Sequence, residues 1–189
     1  MKYYFVFPLV VLIITFASGQ KRYLDSLHQM LSDGKQDTAN VLVLSALADY
    51  YGFNQFDSSI HYARKTIDLS EKIDYPYGSF LGLRSLFYAY NCQGNYSSAL
   101  EVTLKNLEIS ERIKKERPFC LASVHYILGV LNREMENFQA AIFQFRQSIQ
   151  LSEEVEGPNI NLFANYSHLA LIYQKLKQSD SALLCAQKG

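Results

Sequence analysis

The chain has no tryptophan, only four prolines and three cysteines, and no surplus of either charge, with 18 Lys and Arg against 18 Asp and Glu. Each shortage excludes something. Balanced charge without a Lys/Arg block excludes the basic face that nucleic-acid binding needs. Cys92, Cys120 and Cys185 form no C-x-x-C pair, so neither a zinc ribbon nor a dithiol redox site is written here. Scarce proline leaves long stretches free to be helical. What is abundant is apolar surface. Hydrophobic residues make up 49% and aromatics 14% of the chain, enough to bury a core and to exclude a disordered chain. Fourteen Tyr and twelve Phe supply flat rings that suit helix packing.

There is one long apolar run, the 14 residues from Tyr3 to Phe16, preceded by Lys2 and followed by Ala17-Ser18-Gly19-Gln20. It falls short of the roughly 20 residues that cross a bilayer, and Pro8 weakens it as a helix. One positive charge, an apolar stretch and small residues form the pattern of a secretory signal peptide over residues 1–19, cut after Gly19. The chain is therefore expected to be exported, to the periplasm or beyond, with one net negative charge once Lys2 is removed. The alternative is an uncleaved N-terminal membrane anchor.

Residues 20–36 hold a short helix with Leu24, Leu27 and Leu31 at helical spacing, and then a break at Asp33-Gly34-Lys35. Beyond it the chain says one phrase three times: Ile67-Asp68-Leu69-Ser70-Glu71-Lys72-Ile73, Leu107-Glu108-Ile109-Ser110-Glu111-Arg112-Ile113 and Ile149-Gln150-Leu151-Ser152-Glu153-Glu154-Val155. The serines lie 40 and 42 residues apart, and Pro76, Pro118 and Pro158 follow them. Leu47, Leu86, Leu128 and Leu169 step by 39, 42 and 41 residues. Turns fall at Asn54-Gln55-Phe56, Gly94-Asn95-Tyr96, Glu136-Asn137-Phe138 and Lys177-Gln178-Ser179. Ser59, Ala99, Ala141 and Ala182 open the second helix of each pair, where a small residue permits close approach. Such a period marks a stacked helical array. The four leucines are expected to line one continuous core.

These residues resemble tetratricopeptide repeats. Leu128-Gly129 with Phe138, Ala141 and Phe145 is the cleanest copy, and Leu86, Tyr90, Gly94, Tyr96 and Ala99 make the next. The resemblance implies an all-α, right-handed solenoid of antiparallel helix pairs over residues 37–189, divided at 37–75, 76–117, 118–157 and 158–189, the last incomplete. The family period is about 34 residues. Here it is about 41, because the Ser-Glu phrase lengthens each second helix by roughly two turns. Lengthened repeats of this kind resemble the exported sensor regions of bacterial signalling proteins, where a signal peptide and repeats precede a transmembrane helix and a histidine kinase or DNA-binding output. The fourth second helix projects to residue 196 by comparison with its predecessors, so the chain reads as the front of a longer array, with Leu183, Leu184 and Ala186 partly exposed.

The resemblance also places a partner site. First helices line the inner groove in this family. Carried over by position, that groove holds Asp49, Arg84, Tyr88, Asn91, Tyr126, Arg133, Glu134, His168, Gln174 and Lys175, a set suited to a protein or peptide partner. Some relatives clamp a C-terminal carboxylate, but the matching positions here are Ser45 and Asp49, and an aspartate would repel that group.

No catalytic site, cofactor or metal is expected. His28, His61, His125 and His168 show no ligand spacing. The phrase serines repeat, whereas a nucleophile is needed once with a base beside it. Asn95-Tyr96-Ser97 and Asn165-Tyr166-Ser167 match the glycosylation pattern but lie inside repeat elements. No disulfide is expected, because Cys92 and Cys120 sit about 14 residues out of register, about 21 Å on parallel helices. The reading is an exported interaction or ligand-sensing module, the sensor part of a longer signalling chain. A stand-alone exported scaffold for protein assembly is the alternative.

Overall fold

The computed structural model describes residues 21–31, 34–52, 54–154 and 160–188. The stretch 1–19 expected to be a signal peptide, Val155 of the third phrase, the Pro158 that follows it, and Gly189 lie outside the described residues. Among the described residues the chain is all helix. α1 covers 21–31. It is followed by α2 (Thr38–Tyr51), α3 (Phe56–Lys72), α4 (Pro76–Cys92), α5 (Tyr96–Ile113), α6 (Pro118–Glu134), α7 (Phe138–Glu153), α8 (Ile160–Lys175) and α9 (Ser179–Lys188). The expected alternation of first and second helices is therefore present, as α2/α3, α4/α5, α6/α7 and α8/α9. The result is an all-α solenoid of antiparallel pairs.

Local chemistry sets the ends. Asp37 is extended and its carboxylate accepts from the Asn40 amide, satisfying one free donor at the start of α2. Pro76 and Pro118 stand in the first turns of α4 and α6, where a missing N–H costs nothing. Three of the turns within pairs use a left-handed residue. Gly94 supplies it at φ 70°, whereas Glu136 and Lys177 adopt it at φ 59° each, against the preference of a residue with a Cβ.

Leu47, Leu86, Leu128 and Leu169 are all buried, at 0, 5, 7 and 3% exposure. They do not share one continuous core, however. Each sits in a different apolar cluster. Tyr62 packs against both the first and second clusters, Ile109 against the second and third, and Tyr126 and Val130 against the second and fourth. A solenoid repeat touches only its neighbours, so its core is a chain of clusters.

The phrase serines are packing positions. Ser70, Ser110 and Ser152 are at most 1% exposed. The Ser70 hydroxyl bonds the Thr66 carbonyl at 2.5 Å, and that of Ser110 the Asn106 carbonyl at 2.8 Å. A Cβ on Gly78 would come within 2.2 Å of the Ser70 hydroxyl and 2.4 Å of Val41. Each element here is small because the next first helix lies directly on it. Asn165 is fully buried and donates to Ser148 at 2.9 Å, so its sequon is sealed inside the fold.

Candidate functional site

Successive first helices all pack on one another, α4 on α6 through side chains such as Phe80 and Phe119, but their backbones come close in two places. α2 packs on α4, and α6 on α8, while α4 and α6 are not in comparable backbone contact. The second helices pack mainly on the first helices that flank them. The first helices therefore form one surface with two close joints, and the ten residues expected on it divide between those joints.

The α2/α4 joint is ionic. Asp49, on the exposed side of α2, accepts from Arg84 at 2.8 Å and from the Ser85 hydroxyl at 2.6 Å. Its carboxylate is thus already engaged, and the repulsion of an incoming carboxylate expected from Asp49 alone is offset by the guanidinium beside it. Tyr88, one turn beyond Arg84, stands 40% exposed. A recess of about 450 Å³ opens here. Its lining adds Ser85, Cys92 and Ser123 to Asp49, Arg84 and Tyr88. Asn91 does not line it. Its Oδ1 is enclosed without a hydrogen-bond partner.

The α6/α8 joint is built around a ring. His168 stacks on the fully buried Phe145 at 5.1 Å between centroids and 16° between planes. Its Nδ1 lies 2.8 Å from an Arg133 nitrogen, and its Nε2 3.1 Å from the Tyr126 hydroxyl. A guanidinium can only donate, so Nδ1 is the acceptor and the proton of the neutral ring is on Nε2. Burial first, and the Arg133 charge second, push the His168 imidazole down to about 4. Arg133 is paired in turn with Glu134. A second recess of about 450 Å³ is lined by Arg133, Glu134, Gln174 and Lys175 with Glu136 and Leu171. Lys175 lies over the Phe138 ring at 5.4 Å.

Sequence position alone does not mark Ser85, Cys92, Ser123 or Phe145 as part of these joints. Their roles come from which neighbouring helix they meet, and no motif signals that. His125 bonds Gln144 at 2.7 Å. The three cysteines are free, two of them buried, and burial pushes the Cys120 thiol up to about 12. Among the described residues no group of His, Cys, Asp and Glu is placed to hold a metal ion. No helix there is long and apolar enough to cross a membrane.

Comparison with known proteins agrees with this geometry. Residues 122–155 match the family model described as tetratricopeptide repeat. No curated protein matches the chain significantly. Among solved structures, the chain is similar to BtubC (BKLC) from P. vanneervenii, at 17% identity and a TM-score of 0.71, over 92% of this chain and 71% of that one. It is similar to the apo form of RapI at 18% and 0.76, over 100% of this chain and 69% of that one. It is also similar to MamA at 16% and 0.59, over 92% and 88%. At these identities the likeness is one of fold. Residues 122–155 are similar to a tetratricopeptide repeat, and the chain shares the all-α solenoid fold of these structures.

Proposed function

We propose that the surface of α2, α4, α6 and α8 is a groove that recognises an extended peptide or a partner helix, and that the chain is the sensing module of an exported signalling protein. The observation that carries the reading is the pair of recesses. Each is large enough for a few side chains and is lined by an arginine, polar groups and apolar surface, the mix that anchors peptides. The tetratricopeptide-like fold supports a role in binding. The module is read as non-enzymatic, in keeping with its fold. The lengthened repeats of about 41 residues and the leader at 1–19 support placing the module among exported sensors.

The groove is tested by selecting peptides from a random display library on the wild-type chain and titrating them against variants. Selected peptides should bind at least about tenfold more weakly to the double variant Arg84→Ala, Tyr88→Ala or to Arg133→Ala. Binding indifferent to both would put the site elsewhere. Export is tested separately by N-terminal sequencing of the chain produced in a bacterial host. A mature protein that begins at Gln20 in the periplasm is expected, and retention of Met1 in the cytoplasm would reject the exported sensor.

A further inference from the structure

Three seams join successive helix pairs, and the middle one lacks what the other two share. At the first and third, an arginine on a second helix donates to a tyrosine hydroxyl on the next first helix. Arg64 reaches Tyr90 at 3.4 Å, and Arg146 reaches Tyr173 at 2.9 Å. At the middle seam the same repeat positions hold Leu104 and Asn132. Leu104 is 49% exposed, and the Asn132 amide turns back on its own helix, donating to the Leu128 carbonyl at 2.8 Å. Between first helices the contrast repeats. Where Asp49 meets Arg84 at the first seam, the middle seam has Tyr88 and Tyr126. Where Arg133 meets His168 at the third, it has Asn91 and Ile127, and the Asn91 Oδ1 is left without a partner.

Among the described residues, no side-chain hydrogen bond or ion pair joins α4 or α5 to α6 or to the helices beyond it. Rings and aliphatic side chains close the seam instead. Phe119 of α6 stands edge-on to Phe80 and Tyr77, at 6.4 and 5.9 Å between centroids. Ile127 and Leu131 of α6 share a cluster with Leu83 and Leu86 of α4. Apolar burial is non-directional, so it resists separation of the helices more than a small slide. A hydrogen bond fixes direction as well as distance. The middle seam is therefore firm against opening and soft against bending. Each repeat contacts only its neighbours, so a bend at one seam carries the repeats on either side as units. The α2/α4 recess lies before this seam and the α6/α8 recess beyond it. Ser123 of α6 also lines the first recess, so a bend changes both the spacing of the recesses and the shape of one.

We infer that the α5/α6 seam is a hinge: α1–α5 and α6–α9 turn about it as two blocks, and a partner that engages both recesses fixes the angle between them. The partner's part rests on the groove proposed above; the hinge itself does not.

Distances between paired spin labels test this on a Cys92→Ser background, since Cys120 and Cys185 are buried. His61→Cys with Glu101→Cys spans the first seam, and Glu101→Cys with Phe143→Cys spans the middle one. All three positions are exposed and occupy the same place in α3, α5 and α7. The distance distribution across the middle seam is expected to be the wider. Leu104→Arg with Asn132→Tyr rebuilds there the link found at the other two seams, away from the groove residues, and should narrow the distribution to the width of the first, with the helical circular dichroism unchanged. A selected peptide whose binding needs both Arg84 and Arg133 should narrow it as well. Equal widths across the two seams in the unliganded chain would overturn the hinge, as would a rebuilt link that leaves the middle seam wide. A bound peptide of that kind that leaves the width unchanged would overturn the partner's part. Peptides indifferent to both arginines would reject the groove, whereas a wide middle seam narrowed by the rebuilt link would still support the hinge.

Discussion

The α2/α4 and α6/α8 joints solve one problem with different chemistry. In both, a side chain on one first helix reaches another 35 residues away, Asp49 to Arg84 and Arg133 to His168. The first pair is an ion pair at a half-exposed surface, where water screens it and the pair contributes little. The second sets an arginine against a neutral imidazole that is stacked on a buried phenylalanine. Most of its holding power is apolar, and its polar part depends on a ring staying uncharged. The first joint should therefore be tolerant of substitution, and the second sensitive to substitution and to acid.

The strongest way to break the second joint is Phe145→Ala. It removes a fully buried ring from beneath His168 and beside Gly129. A loss of about 3–5 kcal/mol in urea unfolding is expected, whereas Phe143→Ala, half in water, should change stability by less than about 0.5 kcal/mol. Equal losses would show that Phe145 is no keystone.

Acid comes next. The folded His168 lies at about 4, below the ordinary 6.5. The folded state prefers the neutral ring, so its contribution is fully present above pH 6.5 and is lost as pH falls from there towards 4. The loss should be on the order of 2 kcal/mol, allowing for partial exposure to water. Hydrogen exchange measured between pH 7 and 4, corrected for intrinsic rates, should show α8 and α9 losing protection before α2 and α3. His168→Gln should remove the difference. Loss of protection at the α2 end first would contradict the assignment.

At the first joint, Asp49→Asn should cost no more than about 1 kcal/mol by thermal or urea unfolding. A larger cost would mean that the ion pair holds the helices rather than decorating them. The smallest effect is expected at the turns. Glu136→Gly should raise stability by a few tenths of a kcal/mol, because glycine tolerates the left-handed backbone that Glu136 now adopts, less the entropy it loses on folding. Gly94→Ala should do the reverse.

The helices were legible in the sequence because leucine and serine recur at a fixed step and mark the same packing position in each pair. The ten residues assigned to the groove were placed on first helices for the same reason. Their grouping was not legible. Whether Arg84 meets Asp49 or Arg133 meets His168 depends on how close two first helices come. That closeness alternates along the array for reasons spread over many side chains. Nor did the leucine ladder disclose that its members belong to separate clusters, since burial of each is identical in either arrangement. Phe145 was legible only as a repeat aromatic; its role beneath His168 needs the neighbouring pair in place.

The hydrogen bonds around His168 have a direction. Arg133 donates to Nδ1, and Nε2–H donates to the Tyr126 oxygen. The hydroxyl proton of Tyr126 is then not spent on the ring, so the relay that begins at a guanidinium ends in an O–H donor. A cation at its head polarises each link after it, which makes that last donor stronger than an isolated phenol. In the proposed groove, that donor would suit an acceptor on the partner, a backbone carbonyl or a carboxylate, beside the acceptors Glu134, Glu136 and Gln174 that line the recess. Protonating His168 would break the relay at Nδ1 and leave two cations facing one another. The packing of the last helix pair, and recognition at the proposed groove with it, therefore hang on the same proton.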